Sequence, residues 1–221
     1  MRGVAVGKAT DVVVEQGRRR AFATAVDWPG WCRSGRDEAG ALQALADYQP
    51  RYHLVAVHAG VAFPASPARQ LMVTERLAGD TMTDFGTPSK VATADHLPLT
   101  AAGALRRAGL VAAAWVVFDR VIEWAPAMLR KGPHGGGRAP GTILAHVREA
   151  EWSYARKLGL RLPAPTTGEA VVAQREAILD VLSQPSDGTD PAGKGWPPRY
   201  AAARIAWHVL DHAWEIEDRT D

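Results

Sequence analysis

The stretch Trp207-His208-Val209-Leu210-Asp211-His212-Ala213-Trp214-Glu215-Ile216-Glu217-Asp218-Arg219 decides how this chain is read. Its period is helical, and a spacing of four places His208 and His212 on one face, a single turn apart. The stripe Ile205, His208, His212, Ile216 has apolar ends, so both rings are expected to face a core. Two nitrogen donors held that way can clasp one divalent ion with little backbone rearrangement.

Working outward, a third imidazole, His146, sits in the earlier helical stretch Ile143-Leu144-Ala145-His146-Val147-Arg148-Glu149-Ala150, on the stripe Ile143, His146, Ala150, Tyr154. If the two helices pack together, the three rings converge. A lone histidine on an apolar face is more often a hydrogen-bonded core residue. Three inward imidazoles favour a shared metal, because neighbouring rings in a core are costly without a common partner. Further coordination positions would be left to water or substrate, the arrangement of a catalytic ion. Glu149, Asp211, Glu215 and Asp119 are candidate acceptors for the second N–H of a ligating imidazole. The alternatives are that Asp211 is a surface charge, like Glu217, Asp218 and Arg219, and that Asp119 pairs with Arg120 or Arg204.

Around these motifs the chain changes period. Val12, Val14 and Arg20–Val26 alternate as two short strands about Gln16-Gly17, and Trp28-Pro29-Gly30-Trp31 reads as a turn. Ser34-Gly35-Arg36-Asp37-Glu38 reads as a helix entry, with the helix continuing through Ala41, Leu42, Leu45 and Ala46 to Tyr48 until Pro50 interrupts it. A further helical piece is expected from Arg51 towards His58, and a strand over Leu71–Leu77. From about Leu99 the period becomes 3.6. One helix runs to the neighbourhood of Pro126, before the loop Gly135-Gly136-Gly137, and a second from Pro140 to Gly159. A third covers Thr167–Leu182, and a fourth follows Trp196-Pro197-Pro198, with proline a preferred first helical residue. Four helices in ~120 residues form the pattern of a bundle. The expected fold class is therefore an α+β N-terminal domain, a small antiparallel sheet with helix, followed by an all-α up-and-down four-helix bundle. The domains are expected at 1–85 and 99–221, with 86–98 as linker.

The 221 residues, 47% apolar, suffice for a substantial core. A net charge of +2 with interspersed signs provides no strong field for nucleic acid or anionic membrane. Arg18-Arg19-Arg20 reads as a hairpin tip in solvent or as a small phosphate contact. Cys32 is the sole cysteine, so no internal disulfide forms, which suits a reducing cytoplasm. Residues 1–8 lack the apolar core of a secretion signal, and Leu110–Phe118 is far shorter than the ~20 residues of a membrane span. Six of the eight tryptophans, at 115, 124, 152, 196, 207 and 214, lie in the helical half, where core packing accounts for most of them and one or two can line a pocket.

The helical half, roughly Leu99 to Arg219, resembles the DinB-like superfamily of four-helix bundles, which includes thiol transferases. The resemblance rests on the single His146 in the second helix and on His208 and His212 in the last. It implies that these three residues bind a divalent metal, zinc or nickel. The first half resembles HicB-like domains through Ala25-Val26-Asp27-Trp28-Pro29-Gly30-Trp31 followed by Ser34-Gly35-Arg36-Asp37-Glu38-Ala39. That resemblance implies a β-β-β-α unit of the kind that occupies a partner toxin.

Two functions follow as expectations. The first is a metal-dependent enzyme that acts on a small molecule, as a transferase of a low-molecular-weight thiol co-substrate or as a hydrolase. Cys32 is read as structural in that scheme. The second is a non-catalytic scaffold whose HicB-like half docks a protein or RNA. A cytoplasmic location is expected, no membrane or nucleic-acid partner, and a homodimer is compatible with the sequence.

Overall fold

A computed structural model describes residues 9–64, 71–130, 139–191 and 193–220. The fold is mixed α/β, a small four-stranded sheet in the N-terminal part followed by helices. The expected loop at Gly135–Gly137 and the N-terminal residues 1–8 lie outside the described residues.

Strands β1 (Thr10–Gln16) and β2 (Ala21–Ala25) form the antiparallel hairpin expected about Gln16-Gly17. The segment read as a helix entry begins with a third strand, β3 (Cys32–Gly35), antiparallel to β2. Helix α1 (Glu38–Asp47) starts only after Asp37, whose side chain accepts the Gly40 N–H. Helix α2 (Gln49–His58) follows almost directly, with Pro50 in its first turn, where proline is tolerated.

Strand β4 (Leu71–Ala78) corrects the expected antiparallel sheet. It pairs parallel with β1, giving the order β3-β2-β1-β4. The parallel pairing follows from the connection, because α1 and α2 intervene between β3 and β4 and carry the chain back across the sheet.

The sheet is covered on both faces. Val12, Val14, Ala21, Ala23 and Ala25 belong to the main core, which they share with Ala41, Leu45, Tyr52 and Val55 of α1 and α2. The alternate residues Phe22 and Cys32 cluster instead with Trp207, as the two-residue period of a strand dictates.

The stretch from Gly79 to Pro98, which includes the expected linker, has structure of its own. Helix α3 (Thr81–Phe85) is capped by Asp80, and a 3-10 turn spans Thr93–His96. The carboxylate of buried Glu15 accepts from the Ser89 and Lys90 backbone N–H groups and from the Thr83 and Ser89 hydroxyls, which ties this stretch to β1. A local sequence pattern carries no sign of an acceptor more than seventy residues away.

Four long helices make up the rest: α4 (Ala101–Trp124), α5 (Pro140–Lys157), α6 (Gly168–Leu182) and α7 (Pro198–Arg219). By length and composition α4 is long and apolar enough to cross a membrane, contrary to the expectation that no stretch reaches such a span. More than half of that window is buried inside the protein, where α4 packs on α7. Seven α-helices are present among the described residues.

Helix α7 is the centre of the molecule, with 14 of its 22 residues buried. With that much of its surface buried, α7 needs neighbours on several sides. It packs on α4 and α5, and its Trp207 meets Phe22 of the sheet edge-on, with centroids 6.0 Å apart.

The turn at Trp28–Trp31 seats the N-terminal part on α7. The Trp31 indole donates to Leu45 O at 2.9 Å, and the Tyr52 hydroxyl donates to Pro29 O at 2.8 Å. Gly30 sits at φ +91, and a Cβ there would lie 2.8 Å from Leu210 Cδ1 and 2.9 Å from Ala206 Cβ. Both backbone strain and close approach therefore require glycine. Gly30→Ala should destabilise the protein by about 2–4 kcal/mol in urea unfolding. A loss below about 0.5 kcal/mol would mean that the turn is not seated on α7 as described.

Candidate metal centre

His208 and His212 are placed by α7 and His146 by α5. Pro140 and Pro198 each sit in the first turn of these helices and fix where the helical registers begin. The α5–α7 packing then brings the rings together. Ring centroids are 5.1 Å apart for His146–His208, 5.1 Å for His146–His212 and 4.8 Å for His208–His212. One nitrogen of each ring lies within 4.8 Å of the others, close enough for the three to bind one metal ion.

His146 Nε2 and His208 Nε2 lie 3.2 Å apart. A tetrahedral ion with bonds of about 2.0–2.1 Å has ligand–ligand edges of about 3.3–3.4 Å, so this pair already spans one edge. Among the described residues no fourth histidine, cysteine or carboxylate joins the group. Three donors leave at least one coordination position to another species, as catalytic ions require and closed structural sites do not.

Glu215 is the acid that orients the set. Its Oε2 lies 2.9 Å from His212 Nδ1, and its Oε1 lies 2.9 Å from Arg219 Nη1. A carboxylate at Nδ1 accepts the proton held there and leaves the Nε2 lone pair for an ion. Neutral imidazole in a fixed tautomer is the form a metal needs.

The other candidate acids serve elsewhere. Asp211 accepts from Arg33 Nη1 at 2.9 Å and so joins α7 to β3, while Arg33 lies 3.9 Å over the Tyr48 ring. Asp119 pairs with Arg175 on α6 at 2.8 Å, and not with Arg120 or Arg204. Arg175 also pairs with fully buried Glu151 at 3.0 Å, so this cluster satisfies a buried carboxylate whose pKa burial pushes up. Glu149 is exposed on the outer face of α5. Only Glu215, of the four acids, touches a clustered histidine.

His208 and His212 are 8% and 7% exposed, whereas His146 is more open, so solvent reaches the cluster from the α5 side. Aromatic rings wall it. Tyr154 lies 5.6 Å from the His208 ring, and Trp207 6.1 Å from it. Arg204 lies over both walls, its guanidinium carbon 4.4 Å from the Trp207 centroid and 5.5 Å from that of Tyr154. Arg204, expected only as an ion-pair partner for Asp119, lies one turn before His208 on the same helix. Trp124, by contrast, is 82% exposed and is not among the tryptophans that core packing accounts for.

Cys32 is buried 1% exposed, accepts a hydrogen bond from Thr24 Oγ1 at 3.1 Å, and has its thiol pKa pushed up to about 12 by burial. At neutral pH it is a protonated core group, not a nucleophile.

No protein-family model, curated protein or solved structure matches this chain.

Removing the acceptor behind His212 should weaken the cluster's hold on an ion. Glu215→Ala should lower zinc affinity about 10–100-fold in competition with a chromogenic chelator. An unchanged affinity would show that the Glu215 contact does not support the ligand.

Proposed function

We propose that this chain is a metal-dependent enzyme of the DinB-like kind, its four long helices forming the bundle and His146, His208 and His212 holding one zinc or nickel ion. The convergence of three imidazole nitrogens within 4.8 Å, from two helices, carries this reading. The donor set fits: imidazole suits both ions, and a neutral three-nitrogen set leaves the ion's charge unspent.

When bound, the ion supplies Lewis acidity, lowering the pKa of a thiol or water that occupies its open position. The chain's own residues have simpler tasks. Glu215 keeps His212 in the ligating tautomer, with Arg219 holding Glu215 in place. Tyr154 and Trp207 provide a low-dielectric wall beside His208, which strengthens the field felt there. His146, the most exposed of the three, marks the side from which a small molecule would reach the ion. Because the sole cysteine is sealed in the core, sulfur chemistry at this site requires a low-molecular-weight thiol brought from solution. The reading is thus a transferase joining such a thiol to a small electrophile, with hydrolysis by activated water as the related reaction.

Protein purified without a polyhistidine tag should contain about one equivalent of zinc or nickel per chain. The His208→Ala/His212→Ala variant should lose that metal, and its thiol conjugation to a small electrophile, while keeping the wild-type circular dichroism spectrum. Wild-type protein without stoichiometric metal overturns the site, and conjugation unaffected in the variant overturns the enzyme.

A further inference from the structure

A cleft away from the histidines opens where the start of β1, the turn after β2 and the first turns of α4 meet. Its charged lining among the described residues is Asp11, Asp27, Arg106, Arg107 and, from α7, Arg199. It holds about 350 Å³, within the ~300–1,000 Å³ of small-molecule sites.

Backbone carbonyls hold the three arginines in place. Arg106 Nη1 donates to Asp27 O at 2.7 Å, and Arg107 Nη2 to Val26 O at 3.0 Å. Arg199 donates from Nε to Leu97 O at 3.0 Å and from Nη2 to Pro98 O at 3.1 Å. A carbonyl fixes a guanidinium without neutralising it. One carboxylate pairs with the set, Asp27 with Arg107 at 3.1 Å, but the Asp27 side chain is 55% exposed, so water screens that contact. Asp11 is the other acid of the lining. Asp95, whose charge also acts on Arg107, accepts from the Ala92 N–H at 2.9 Å. Three cations against two acids leave the lining with an excess of positive charge. Gly103 brings the first turn of α4 to the cleft, and with it the positive end of a 24-residue helix dipole. The neutral polar groups of the lining, the Thr10 hydroxyl and the Trp28 indole N–H, can both donate. Arg107 is the most enclosed of the three arginines, and burial, followed by the charge of Arg199, pushes its pKa down to about 10. Gathering like charges this way is costly unless an anion joins them.

We infer that this cleft binds a phosphate dianion, free or as the head of a small monoester, among Arg106, Arg107 and Arg199. Each guanidinium has five N–H donors, and the contacts above use at most two, so each keeps donors for a ligand. Three cations about one cleft suit a tetrahedral, doubly charged ion better than a planar, singly charged carboxylate. Asp11 opposes the ligand and limits its affinity. This inference does not depend on a metal at the histidines.

Calorimetric titration with inorganic phosphate, phenyl phosphate and acetate tests it, at constant ionic strength and a mildly alkaline pH at which the dianion predominates. Inorganic phosphate should bind saturably and at least about tenfold more tightly than acetate. Phenyl phosphate binding more tightly still supports a monoester as the ligand, and weaker binding supports the free ion. Arg106→Gln and Arg199→Gln should each weaken phosphate about 10–100-fold, which places the ion here and not at a metal. Asp11→Asn should tighten it about 2–10-fold, an effect that purely structural arginines do not predict. Phosphate that fails to saturate, binds no better than acetate, or binds both arginine variants as it binds the wild type overturns the inference. The wild-type titrations decide the matter even if a variant does not fold.

Discussion

Burial of α7 on nearly every side is the constraint from which the rest of the structure follows. The helix packs on α4 and α5, carries the Trp207 contact to the sheet, and receives the Gly30 turn against Ala206 and Leu210. A helix so enclosed has no freedom to rotate or slide without opening several interfaces together, because close-packed interiors resist small shifts. His208 and His212 inherit that rigidity. Their rings are fixed in depth and direction by packing that has nothing to do with a ligand. Preorganisation of this kind lets three donors meet an ion without a separate ordering cost.

The polar groups along α7 are sorted by the face they occupy. Asp211 and Asp218 face the N-terminal part, where they meet Arg33, Arg51 and Tyr48. Glu215 turns towards His212, and Arg204 towards the corner with Trp207 and Tyr154. One helix therefore carries both the interface between sheet and helices and the histidine cluster. Neighbouring residues serve different purposes because successive side chains point about 100° apart.

The helical half was legible because its signals are local. Pro140, Thr167 and Pro198 mark starts that fall within a residue or two of the helices observed, and the four-residue spacing of His208 and His212 translates directly into a shared face. The pairing of β4 was not legible, because strand direction depends on a partner some sixty residues away. Strand β3 is four residues long and adjoins a genuine helix cap at Asp37, so the cap signal masked it. The acids show the same division. Glu215, three residues from His212, lies within reach of local reasoning, whereas the choice of Arg175 by Asp119 and of Arg33 by Asp211 is made by tertiary packing.

Anomalous diffraction from crystals of tag-free protein, collected at the zinc and nickel absorption edges, tests the convergence of the three imidazoles most directly. The account predicts one strong peak between α5 and α7, about 2.0–2.1 Å from a nitrogen of each of His146, His208 and His212. A map without that peak, from protein supplied with both metals, would contradict it, as would a peak that leaves any one of the three rings out of coordination.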